Sequence, residues 1–129
     1  MAYSFSDSAK RHRADAKHLA SDQRLQNAGH LIGFAAECLT KAVLEDARIQ
    51  IDKPSGLRVH FPQLATAIRI RGYGRLMGAL LPILSRSDFL NGWKAELRYE
   101  KDQIISQANA DWQKWVGDVD DLFVAAGRP

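Results

Sequence analysis

The sequence predicts an all-α protein: a compact antiparallel up-and-down bundle of four to five helices, forming one domain over residues 1–129. Apolar residues recur at helical spacing in three long segments, and the connections between helical segments are short. No stretch alternates apolar and polar residues between hairpin turns, as strands would. A chain of 129 residues is long enough to bury a core without disulfide bonds or metals.

The first predicted helix spans residues 7–22, with Ser6 as the expected N-cap. Its apolar face is narrow and rich in alanine, as at Ala9 and Ala16. A narrow face of this kind requires a neighbouring helix to lie close against it.

The second predicted helix spans about residues 25–48 and carries a broad apolar face. Beside that face runs a stripe of small residues: Gly29, Gly33, Ala36 and Thr40. A glycine inside a helix costs about 1 kcal/mol relative to alanine, so two of them need a packing reason. We expect the close approach of another helix, either the first helix or a helix of a dimer mate.

The middle of the chain predicts shorter elements. A turn-rich loop at residues 52–56 ends the second helix, and a third helix starts near Pro62 and runs to about Arg71. A glycine-containing break is followed by a short helix from Arg75 to about Leu84, which Pro82 is expected to kink or end. Residues 85–101 are expected to be irregular or weakly helical.

The last predicted helix, about residues 103–126, is strongly periodic. Trp112 and Trp115 invite a base-stacking interpretation, but both lie on its apolar stripe. Core packing is therefore the prediction for the two indoles.

Charge is distributed unevenly along a chain whose net charge is +3. Residues 47–87 carry seven lysines and arginines against one acid, Asp52, whereas residues 88–129 carry five against eight acids. One interpretation is a solvated basic face that matches the acidic last third of the same chain or of a second copy. The other is an anionic ligand such as RNA or a nucleotide. In that case Arg69, Arg71 and Arg75 are the predicted contacts.

Several classes of chemistry are excluded by what the sequence lacks. It has no glycine-rich phosphate loop, no His-Glu-x-x-His motif and no nucleophile elbow. The four histidines offer no i, i+4 pair, and Cys38 stands alone in an apolar stretch, so we predict neither a metal site nor a cofactor. No segment has the composition of a signal peptide or a membrane span, and a cytoplasmic protein is expected.

The second helix carries a family resemblance. Residues 27–44 read NAGHLIGFAAECLTKAVL, an alanine-rich core with Glu37 and Lys41 one turn apart. His60 precedes the next helix, and Arg98-Tyr99 precedes the last. In this order, these features resemble HEPN domains, the higher-eukaryote and prokaryote nucleotide-binding helical bundles, over nearly the whole chain.

The resemblance implies a bundle that is usually a dimer. The family includes metal-independent ribonucleases, toxin halves of toxin–antitoxin pairs and accessory partners of minimal nucleotidyltransferases. Its ribonucleases carry an arginine followed, after four to six intervening residues, by a histidine. Here Gln103, Ile104 and Ile105 follow Arg98 at those positions, and no histidine occurs after His60.

The sequence therefore predicts a binding or partner module without the usual catalytic pair. Its predicted ligand-binding residues are Glu37, Lys41, Arg98 and Tyr99. A structural alternative is an ion pair between Glu37 and Arg98 that ties the last helix to the second. The expected partners are a second copy, a nucleotidyltransferase or antitoxin, or an RNA or nucleotide, but not a membrane. Two other functions stay open: a ribonuclease using Arg98 with His60 as a relocated base, and a purely structural oligomerisation subunit.

Overall fold

The computed structural model describes residues 3–49, 59–71 and 77–129, and within these ranges every regular element is helical. The helices are α1 (Phe5–Ser21), α2 (Leu25–Asp46), α3 (Gln63–Ile70), α4 (Leu81–Leu84) and α5 (Ile105–Ala125), with a 3₁₀ helix at Ala95–Tyr99. The central α2 packs against α1, α5 and the 3₁₀ helix, and α4 packs against α5. This arrangement confirms the predicted all-α helical bundle.

The hairpin of α1 and α2 forms much as the sequence predicts. Ser4, rather than Ser6, caps α1, because its hydroxyl accepts the backbone N–H of Asp7 at 3.1 Å. The alanine face of α1 is buried, with Ala9 and Ala16 almost inaccessible. A three-residue turn, residues 22–24, leads into α2, and Gln23 adopts a positive φ of 64° there.

The small-residue stripe of α2 is filled from within the chain and not by a dimer mate. Gly33 faces the indole of Trp93, and Gly29 lies against Trp115, whose ring would be 3.1 Å from an added Cβ. The indole N–H of Trp93 also reaches the carbonyl oxygens of Gly29 and His30, at 3.2 and 3.1 Å. The predicted reason, close approach, is correct, but the neighbour is a pair of tryptophans.

The predicted short helix from Arg75 to Leu84 needs correction in its described part. Residues 77–80 form turns in which the N–H of Leu80 bonds the carbonyl of Met77, and α4 begins only at Leu81. Gly78 disfavours a longer helix. Pro82 lies in the first turn of α4, where its missing N–H is no loss, so it starts the helix instead of ending it.

Ion pairs and a buried carboxylate fasten α5 to the rest of the bundle. Asp120 binds Arg13 of α1 at 2.7 Å, and Asp121 binds Arg86 at 2.9 Å. Asp118 is buried, where it accepts the N–H of Leu90 at 2.9 Å and pairs with Lys114. Asp118, Asp120 and Asp121 are thus paired within one chain, the first two by cations outside the basic middle segment and Asp121 by Arg86 of that segment. Both α5 tryptophans are in the core, as predicted.

Candidate functional site

A cleft of about 470 Å³ opens where the α1–α2 turn, the 3₁₀ helix and the start of α5 meet. It is lined by Gln23, Arg24, Leu25, Gln26, Asn27, His30, Leu97, Arg98, Glu100, Asp102, Gln103, Ile105, Ala108 and Trp115. Its volume falls in the range of about 300–1,000 Å³ that small-molecule sites occupy. The cleft is therefore large enough for a nucleotide-sized ligand.

Two arginines of this cleft differ from the paired arginines elsewhere in the fold. Arg24 and Arg98 both line it, and neither has an ion-pair partner among the residues that the structure describes. By contrast, Arg13, Arg86 and Arg128 each bind an aspartate at 2.7–2.9 Å. Two guanidinium groups that share a cleft without carboxylate partners are suited to bidentate binding of a phosphate or carboxylate.

Exposed apolar side chains follow Arg98 in the chain. Tyr99 is 78% exposed, and its ring centroid lies 5.1 Å from the Arg98 Cζ. Ile104 and Ile105, at the start of α5, are 74% and 71% exposed. A tyrosine ring with a guanidinium close to it offers a flat apolar surface on which a base could stack.

His30 is the histidine of this cleft, and the sequence analysis missed its role. Its Nε2–H donates to the carbonyl of Ala95 at 3.2 Å, which leaves Nδ1 as the acceptor nitrogen. Its ring stacks on Trp93 with centroids 6.2 Å apart, and Phe34 packs edge-on at 4.9 Å. Burial lowers the pKa of His30, the hydrogen bond to Ala95 opposes this in part, and the charge of Arg98 lowers the pKa further. The lowered pKa favours the neutral form of His30.

The remaining polar residues of the cleft include one amide that holds the loop before α5 and three further side chains in the lining. Gln26 fastens the loop before α5, because its amide donates to the carbonyl of Lys101 at 2.9 Å and accepts the N–H of Gln103 at 2.8 Å. Glu100 and Asp102 add carboxylates to the lining, and Asn27 adds a side-chain amide. The cleft thus presents acceptors as well as cations.

Glu37, predicted to lie with Arg98, belongs to a separate cluster. It is 3% exposed, accepts the backbone N–H of Phe61 at 2.7 Å and bonds the Nδ1 of His60 at 2.9 Å. The proposed Glu37–Arg98 ion pair is therefore wrong: seven residues of α2, about 10 Å of helix, separate Glu37 from His30 in the cleft. Burial raises the pKa of Glu37, and the His60 bond lowers it in part.

The same cluster accounts for the other residues predicted beside Glu37. Lys41 is buried one turn further along α2, where its Nζ lies 5.8 Å from the Phe5 ring centroid. His60 is held by Glu37 and does not line the cleft, so it is not placed to act as a base beside Arg98. Of the predicted ligand-binding residues, the structure brings Arg98 and Tyr99 together and leaves Glu37 and Lys41 elsewhere.

The predicted anion contacts of the basic middle segment are partly described. Arg69 and Arg71 are exposed at the end of α3, and Arg75 lies outside the described residues. Arg69 lines a second, smaller pocket with Arg86. Arg69 and Arg71 do not line the cleft at Arg24 and Arg98.

Three further findings bear on the class of protein. No group of three or more His, Cys, Asp or Glu side chains is arranged to hold a metal ion among the residues described. In the same part of the chain, no helix is long and apolar enough to cross a membrane. Burial raises the pKa of the Cys38 thiol, which disfavours the reactive thiolate.

Comparison of the chain with protein-family models, curated proteins and solved structures found no match.

Proposed function

We propose that this bundle is a HEPN-like binding module that takes a nucleotide, free or within single-stranded RNA, in the cleft at Arg24 and Arg98. The observation that carries the proposal is the pair of guanidinium groups that share one cleft without carboxylate partners in the described chain. They would bind the phosphate, and the exposed ring of Tyr99 would stack on the base.

The mixed charge of the lining favours a nucleotide over a simple anion. A site for a simple anion needs cations alone, whereas here Glu100 and Asp102 lie in the same cleft as the two arginines. Carboxylates accept hydrogen bonds from ribose hydroxyls and base amino groups, and Asn27 can both donate and accept. A ligand with an anionic end and several neutral donors satisfies this combination.

The binding prediction is tested with Arg98→Ala. We expect a fluorescently labelled single-stranded RNA to bind at low salt, and the variant to weaken binding by about 10- to 100-fold, because a hydrogen-bonded charge contributes about 1.5–3 kcal/mol. The slope of log K against log salt should flatten by about 0.7 for each phosphate that the variant no longer neutralises. Anisotropy titrations at three salt concentrations measure both quantities.

Lys94→Ala is the matched control. It removes the same charge from an exposed position just before the 3₁₀ helix, outside the cleft lining. Equal weakening by Lys94→Ala and Arg98→Ala would reduce the interaction to overall charge and contradict the proposed site. Absence of binding at low salt would remove the nucleotide proposal altogether.

A second candidate, a metal-independent ribonuclease, is favoured by the presence of His30 and Arg98 in one cleft. We nevertheless expect binding without cleavage. The cleft lining holds one histidine, and its lowered pKa disfavours the protonated form that would act as the acid in such cleavage. Denaturing gels of RNA incubated with the protein test this expectation. Cleavage that is abolished by both His30→Gln and Arg98→Ala would establish the ribonuclease instead.

The assembly predicted from the resemblance stays a prediction. A homodimer, a nucleotidyltransferase-type partner and an antitoxin each remain compatible with a binding module. The small-residue stripe no longer supports the homodimer, because Trp93 and Trp115 fill it.

A further inference from the structure

A second pocket, of about 200 Å³, lies on another part of the surface, between α3 and the segment that follows α4. Its lining includes Phe61, Ala65 and Arg69 on one side and Leu84, Arg86 and Phe89 on the other. It shares no residue with the cleft at Arg24 and Arg98. Whatever it binds is therefore independent of the proposed nucleotide site.

The floor of this pocket is apolar. Phe61, Leu84 and Leu90 are buried, and Phe89 meets Phe61 edge-on with ring centroids 5.9 Å apart. An apolar cavity of about 150 Å³ lined by leucine, isoleucine and phenylalanine accepts benzene. A volume of about 200 Å³ accordingly holds one six-membered ring or a branched aliphatic group, together with one small polar substituent.

The rest of the lining is cationic and rich in hydroxyl groups. Arg69 is exposed and makes no ion pair within the described chain. Arg86 binds Asp121 through Nη1 at 2.9 Å, which leaves its Nε and Nη2 donors for a ligand. Thr66, Ser85 and Ser87 add three hydroxyls. Two guanidinium groups with hydroxyl donors above an apolar floor match a carboxylate attached to an apolar body.

We infer that this pocket binds a small organic carboxylate whose body is an aromatic ring or a branched aliphatic chain. A bare anion would leave the phenylalanine floor exposed to water, and a neutral ring would leave the guanidinium groups unmatched. A nucleotide exceeds the volume of the pocket. The ligand class follows from these three exclusions together.

Benzoate is the probe, and acetate and benzyl alcohol are the control compounds. In ¹H–¹⁵N correlation spectra of the whole protein, benzoate should shift the amides of Ala65, Phe89 and Leu90 with a saturable, millimolar dissociation constant. Acetate lacks the ring and benzyl alcohol lacks the charge, so each should bind at least about tenfold more weakly. Acetate binding as tightly as benzoate would overturn the inference, as would an absence of saturable shifts with benzoate.

Arg69→Gln and Arg71→Gln form the matched pair of variants. Both positions are exposed at the end of α3, but only Arg69 lines the pocket. Arg69→Gln should weaken benzoate binding by about tenfold and Arg71→Gln should leave it unchanged. Equal effects of the two would overturn the inference.

Ala65→Leu should fill the floor of the pocket and abolish benzoate binding. The same spectra check that the variant is folded. Retention of wild-type affinity in the folded variant would also overturn the inference.

Discussion

Gly33→Ala is expected to destabilise the protein by about 3 kcal/mol or more, although alanine is the better helix former. The added Cβ would overlap the indole of Trp93, which is almost fully buried. Moving that ring would also break its hydrogen bonds to Gly29 and His30. Because Trp93 stacks on His30, the variant should weaken nucleotide binding as well. Urea unfolding followed by tryptophan fluorescence measures the change in stability.

Gly117→Ala is the control for helix propensity. Gly117 is exposed within α5, and nothing lies within 4 Å of a Cβ added there. We expect this substitution to stabilise the protein by about 0.5–1 kcal/mol. If Gly33→Ala also stabilised the protein, the close contact between Trp93 and α2 would be wrong. Gly29→Ala, with a Cβ contact of 3.1 Å, should lie between the two.

The long helices could be predicted from the sequence because one periodic apolar stripe defines each of them. The predicted ranges are residues 7–22, 25–48 and 103–126, and α1, α2 and α5 begin and end within two residues of all of those limits. The region around α4 was predicted less well. Its turns at Met77 and Leu80 are buried against the bundle, so tertiary packing and not local periodicity decides their conformation.

The site was predicted in part for a similar reason. Arg98 and Tyr99 were identified, but Arg24 and His30 were not, because the cleft forms only when the α1–α2 turn meets the 3₁₀ helix. One local signal was present: Arg24, Asn27 and His30 recur at intervals of three residues and so share one side of the helix start. The pairing of Glu37 with His60 had no such signal, since it joins residues from two distant elements.

Glu37→Ala is the second substitution with a large expected effect, a loss of about 2–4 kcal/mol. It leaves the buried N–H of Phe61 without its acceptor, which costs about 1–3 kcal/mol, and it opens a cavity beside α3. His60 loses its partner as well. Thermal unfolding of Glu37→Ala is compared with that of Glu45→Ala, a substitution at an exposed position on the same helix. The difference between the two losses of stability measures the effect of burial. Equal losses at the two positions would contradict the buried cluster.

Glu37→Gln separates the charge of this carboxylate from its shape. Glutamine keeps an acceptor for the Phe61 N–H but cannot ionise. Burial raises the pKa of Glu37 above its usual value near 4.5 when the chain folds, with His60 and Lys41 as the charged groups around it. The folded state therefore binds this proton more tightly than the unfolded state does. The stability that the proton contributes is complete below about pH 4.5 and is lost as pH rises through the folded pKa.

The glutamine variant lacks this loss. Its stability relative to the wild type should rise with pH over the interval that begins near 4.5 and ends above the folded pKa of Glu37. Urea unfolding at half-unit pH steps measures the difference, and Glu45→Gln corrects for the rest of the titration. A difference that falls with rising pH would mean that His60 and Lys41 outweigh burial. In that case the ionised carboxylate, and not the protonated one, would be the form that holds Phe61 against α2.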